Sequence, residues 1–113
     1  MTILREQARA LCTDDEYVLY EASFGKPLEG LSLSELRENI ARTRRARDKF
    51  RDLAKRQRLE QRGKKEPSGQ TPAQGNDRSE QKVTLFQQTL DRFATRLESL
   101  EPGATDGLDE VSD

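Results

Sequence analysis

The sequence predicts an all-α protein built on an antiparallel helical hairpin. Three observations lead there: a heptad-spaced apolar seam late in the chain, a breaker-free run of about thirty residues before it, and a polar linker between them. The seam is Val83, Phe86, Leu90, Phe93, Leu97 and Leu100, at spacings of 3, 4, 3, 4 and 3. That alternation sets all six side chains on one helical stripe, which needs a facing helix. The earlier run, from Leu33 to about Arg62, holds neither proline nor glycine. It repeats the seam in poorer form through Leu33, Leu36, Ile40, Thr43, Arg47, Phe50, Ala54 and Gln57, with Leu53 beside it. At 1.5 Å per residue it makes a helix of about 45 Å.

Each element has its own start and stop. Residues Thr2–Leu11 are weakly amphipathic, with Ile3, Leu4, Ala8 and Leu11 on one face, and read as a short helix. Thr13 followed by Glu16 is a capping box, and Asp14 and Asp15 favour the positive end of a helix dipole. Tyr17, Tyr20 and Phe24 then recur at helical spacing, and Gly25 and Pro27 supply a stop. The β-branched and aromatic content of Tyr17–Tyr20 leaves a strand as the alternative there. "KPLEG" reads as a connector. Ser32 and Glu35 form a second capping box, with Leu31 and Leu36 spaced as a hydrophobic staple, and Gly63 ends the long helix. "GKKEPSGQTPAQGNDR" is rich in glycine, proline and polar residues and reads as a flexible linker. Pro102 and Gly103 close the last helix, and "GATDGLDEVSD" reads as a disordered acidic tail. The resulting division is 1–62 for the short helices and long basic helix, 63–78 for the linker, 79–101 for the second hairpin helix and 102–113 for the tail.

Charge predicts the hairpin register. Arg37, Arg44, Arg51 and Arg58 form one flanking row on the long helix, and Glu80, Gln87, Ala94 and Glu101 form the matching row on the second. One antiparallel alignment sets Arg58 against Glu80 and Arg37 against Glu101, with Arg51 and Arg44 facing Gln87 and Ala94. It also brings Ile40 near Leu100, Phe50 near Leu90 and Ala54 near Phe86. Rim pairs contribute only about 0.2–1 kcal/mol each, but like-charge contacts disfavour the wrong register. Six large apolar residues at roughly 1.5–3 kcal/mol apiece barely offset the ordering entropy of both helices. The seam therefore needs a cover. The N-terminal helix, through Tyr17, Tyr20 and Phe24, gives a three-helix bundle; a second copy of the chain or a different protein would serve instead.

Composition limits the functional classes. Hydrophobic residues make up 32% and charged residues 36%, against roughly 45–50% and 25% in ordinary globular domains. A thick core is excluded. Net charge is −1, yet the charges are segregated. Arg37–Lys65 carries 13 basic and 4 acidic side chains, Glu98–Asp113 carries 6 acidic and no basic ones, and the first 31 residues carry 6 acidic and 3 basic. There is no histidine and one cysteine, Cys12, which removes the commonest metal ligand and general base and any intrachain disulfide. No apolar run suits a signal peptide or a membrane span, so a soluble cytoplasmic protein is expected. No cofactor, metal or catalytic residue is expected either. Cys12 reads as a small packed hydrophobe, and Asp14–Glu16 as capping residues rather than metal ligands.

"RTRRARDKFRDLAKRQR", Arg42–Arg58, is the one stretch with functional colour. Arginines flanking the seam are accounted for by the hairpin, which leaves Arg42, Arg45, Lys49, Lys55 and Arg56 outward. They read as a solvated helix flank, as contacts to phosphates of a nucleic acid, or as contacts to an acidic protein surface. Asp48, Asp52 and Glu60 interrupt the row, and only Gln57 and Gln61 are suited to base edges. The expectation is a non-enzymatic interaction protein, an adaptor, regulator or inhibitor, working through helix packing and an arginine-rich face toward another protein or a second copy. Nucleic-acid binding through the basic helix is the alternative.

Overall fold

The computed structural model describes residues 3–63 and 72–105. Within them the order is α1 (Arg5–Leu11), α2 (Asp14–Glu21), α3 (Gly25–Glu29), α4 (Leu33–Gly63) and α5 (Pro72–Leu100). No strand forms among the described residues, so Tyr17–Tyr20 is helical. The long helices α4 and α5 pack together as the hairpin, and α1 and α2 lie against α5. No helix among the described residues is long and apolar enough to cross a membrane.

Local chemistry sets the boundaries. At α2, Glu16 N–H donates to Thr13 Oγ1 at 3.2 Å and Thr13 N–H donates to Glu16 Oε1 at 3.0 Å. At α4 the same reciprocal pair joins Ser32 and Glu35, at 3.1 and 2.9 Å. Each pair satisfies two of the backbone donors that a helix start leaves open. Gly25 has φ +52°, a conformation that disfavours any side chain, and there the chain turns from α2 into α3. That one-turn helix falls inside the expected connector, so the N-terminal segment holds three short helices instead of one or two.

The expected linker and tail both shrink. Residues 64–71 and 106–113 lie outside the described residues, but 72–78 are helical rather than linker. Proline suits the first turn, where its missing N–H has no partner to lose, so α5 starts at Pro72 and not at Ser79. After Pro102 the chain folds back as a turn through Thr105. Glu98 holds it, accepting from Gly103 N–H and from Thr105 Oγ1, each at 2.7 Å. Ala104 packs on the core.

The seam holds with one correction. Leu36, Ile40, Phe50, Phe86, Leu90, Phe93 and Leu97 are buried, and Val83 packs against them half-buried. Phe50 and Phe86 stack at 5.9 Å. Leu100 is 43% exposed instead of buried. It is the last residue of α5, at the end where α4 begins, and Leu33 there is also 40% exposed. Both belong to the end turn of their helices, with no further buried layer of the seam beyond them. Both predicted rim pairs form: Arg37 with Glu101, and Arg58 with Glu80 at 2.5 Å.

The cover comes from within the chain. Ile3, Ala8, Leu11, Leu19 and Tyr20 join the hairpin residues in one core, with Tyr17 and Phe24 half-buried at its edge. They rest on a second face of α5 made of Lys82, Leu85 and Thr89, all buried. Lys82 Nζ donates to Glu16 Oε1 at 3.0 Å and lies 4.4 Å from the centre of the Phe50 ring. One ammonium thereby joins α2, α4 and α5.

Two outcomes follow from this packing. Lys82→Ala should lower stability by about 3 kcal/mol, since it leaves a shielded Glu16 without its cation. Urea unfolding would read the loss, and amide exchange should show residues of α1 and α2 exposed before those of α4. The Ser32 N–H holds the Glu35 carboxyl below its ordinary range. Its contribution is then fully present above the ordinary carboxylate pKa and is lost as pH falls through the lowered value. An NMR titration should place the Glu35 midpoint below the ordinary glutamate range, and Ser32→Ala, which removes the hydroxyl but keeps the backbone donor, should raise it only in part.

Candidate interaction surface

The hairpin divides the basic residues of α4 into spent and unspent. Arg37 and Arg58 are committed to α5. Arg47 stands in the seam and is buried, 1% exposed. Its Nε and Nη2 lie 3.0 Å from Asp48 Oδ1, and its Nη1 donates to Gln87 Oε1 at 2.9 Å. Gln87 in turn donates to Asp91 at 2.9 Å. A guanidinium is thus carried through the middle of an apolar seam on one carboxylate and one amide. Arg51 Nη1 stands 3.9 Å from Asp48.

The outward five are all exposed, but they do not share one face. At about 100° per residue, Arg42, Arg45, Lys49 and Arg56 fall within about 60° of one another. Lys55 lies about 100° away from Arg56, and so drops out of the patch. Reading along the same stripe gives Glu38, Arg42, Arg45, Lys49, Asp52 and Arg56, six exposed residues at spacings of 4, 3, 4, 3 and 4. From Arg42 to Arg56 the row extends about 21 Å. Arg56 Nε is 3.7 Å from Asp52, and Lys49 lies over the edge of the core at 5.4 Å from the Phe50 ring centre. Among the described residues Arg42, Arg45 and Lys55 form no ion pair. Gln57 is half-buried along the seam, and the Gln61 side chain lies outside the described ones.

Sequence reasoning missed a second set of cations, on α5. Arg78 Nη2 donates to the carbonyls of Ala10 and Leu11 at 3.2 and 3.3 Å, closing the C-terminal end of α1. Arg92 Nε donates to Ser23 Oγ at 2.9 Å, and Ser23 Oγ donates to Tyr20 O at 2.6 Å. The Arg92 guanidinium lies 3.9 Å from the Phe24 ring centre and 5.4 Å from that of Tyr20. Nothing in heptad spacing marks these residues. The available signal was Leu85, an apolar residue beside Phe86 but off the seam.

Burial, and then the Glu16 carboxylate, push the Cys12 thiol up to about 11, so it is no nucleophile at neutral pH. Burial raises the Tyr20 phenol. The Gly103 N–H, with Thr105, holds the Glu98 carboxyl low.

The Arg47–Gln87 contact yields a double-mutant test. Gln87→Leu should cost about 1–3 kcal/mol, because a buried donor loses its acceptor. Arg47→Met should be neutral or stabilising, as buried ionic groups in apolar seams often are on replacement. In the Arg47→Met background, Gln87→Leu should cost little, and urea unfolding of the four proteins measures the coupling. No protein-family model matches this chain, and no curated protein or solved structure matches it.

Proposed function

We propose that the chain is a small non-enzymatic interaction protein of the cytoplasm, an adaptor, regulator or inhibitor, which docks an acidic surface of another protein on the outer face of α4. The observation that carries this reading is the exposed row Glu38–Arg42–Arg45–Lys49–Asp52–Arg56. Its cationic centre, Arg42, Arg45 and Lys49, forms no ion pair among the described residues, Glu38 and the Asp52–Arg56 pair flank it, and the opposite side of the helix is already filled. The seam is filled by α4 and the second face of α5 by the N-terminal segment of the same chain, so partner recognition does not need the seam. A row of mixed sign suits a protein surface with complementary mixed sign, and it steers orientation and association rate more than it adds affinity. A second copy is the poorer partner at this face, because two basic rows repel.

A second reading has one observation in its favour: Arg42 and Arg45 stand unpaired among the described residues, as phosphate contacts would require. Glu38 and Asp52 in the same row count against it.

The test compares the wild type with Arg42→Glu/Arg45→Glu/Lys49→Glu, three exposed positions whose change should leave the thermal midpoint in place. Crosslinking from Lys55, an exposed lysine that both proteins keep, in nuclease-treated extract should yield a protein partner that the variant loses. Association of the purified pair should slow at least tenfold at low salt, and the difference should narrow as salt rises. Co-elution with RNA or DNA at low salt, lost in the variant and in nuclease, would replace this reading with the second.

A further inference from the structure

On the opposite side of the molecule a cleft of about 500 Å³ opens between the α2–α3 corner and α5. Its volume is that of a small-molecule site, and its wall is mostly apolar, with Leu28 and Phe24 on one side. Two arginines of α5, Arg92 and Arg96, line the other side. Neither belongs to the α4 row, and neither forms an ion pair among the described residues.

Arg92 is held in place before any ligand arrives. Ser23 and Thr89 accept from Nε and Nη2, at 2.9 and 3.3 Å, and Phe24 supports the guanidinium plane. Those bonds use two of its five N–H groups. Arg96 Nε is shielded from solvent and has no acceptor among the described residues. The Arg96 side chain as a whole is half-exposed, but a shielded N–H without an acceptor is costly, and a bound anion would supply one. Arg5, near the same Phe24 ring, adds to the positive potential, while its own partner Glu21 is 3.6 Å away. Asp91, on the cleft's edge, is the opposing charge and accepts from Gln87. One negative charge suits this balance; two would meet Asp91.

We propose that the cleft binds a small amphiphilic monoanion, a carboxylate with a short apolar body. Arg92 and Arg96 take the carboxylate, and the body lies along Leu28 and the edge of Phe24. Thr95 stands on the rim, where its hydroxyl can complete the carboxylate's hydrogen bonds, and Ser99 beside it already donates to the Arg96 carbonyl at 2.7 Å.

Octanoate is the probe, titrated into the ¹⁵N-labelled full chain. The expected result is saturable shifts confined to the amides of Gly25, Thr95 and Ser99 and to the arginine Nε signals. Octanol, without the charge, and inorganic phosphate, without the apolar body, should bind at least tenfold more weakly. Arg96→Gln should weaken octanoate binding at least tenfold. Thr95→Trp, at an exposed rim position, should block the cleft without touching either arginine. Absence of saturable shifts would overturn the proposal. So would equal binding of phosphate, octanoate binding unchanged in both folded variants, or shifts centred on Arg42–Lys49.

Discussion

Scarcity of apolar surface governs this molecule. With 32% hydrophobic residues, no helix can be enclosed by carbon alone, and α5 has to present two buried faces with one face's worth of apolar side chains. Toward α4 it spends the heptad seam. Toward α1 and α2 it spends Leu85 and Thr89 and fills the remainder with cations. Arg78 closes the end of α1, Lys82 ties the capping glutamate of α2, and Arg92 holds Ser23 and stacks on Phe24. Long basic side chains do here what leucines do elsewhere, since their stems cover apolar surface while their heads satisfy carbonyls, carboxylates and rings.

The same scarcity explains Arg47. A guanidinium in the seam contributes little net stability, because desolvation opposes its pairing with Asp48 and Gln87. It does make other alignments expensive: sliding α4 along α5 by one turn would leave it buried without Gln87. Arg37–Glu101 and Arg58–Glu80 at the two ends impose the same register from outside. Three charged contacts, none of them strong, together select one pairing of two helices whose apolar patterns alone would tolerate several.

This division of labour also separates structural charge from available charge. Basic residues are used on both sides of α5 and along the inner flanks of α4, which leaves the outer row of α4 and the Arg92–Arg96 cleft as two places where several positive charges gather outward. The composition shows a basic stretch; only the packing shows that much of it is already spoken for. Lys55 illustrates the point from the other side, because it is as exposed as its neighbours but lies off their stripe by geometry.

Read alone, the sequence determined what depends on local spacing. Both capping boxes, the α4 limits at Leu33 and Gly63, the seam, and the two rim pairs all follow from the helical repeat, which constrains residues three and four apart. The start of α5 at Pro72 was less legible, since proline in a first turn resembles proline in a linker. Decisions among residues far apart in the chain belonged to the tertiary structure. Leu100 is exposed because it lies in the end turn of α5, past the last buried layer at Leu36 and Leu97, and Arg78, Lys82 and Arg92 matter because α1 and α2 come to rest on them, 60 and more residues away in sequence. No periodicity records such an encounter, because it depends on which face of α5 remains uncovered once α4 has taken the other.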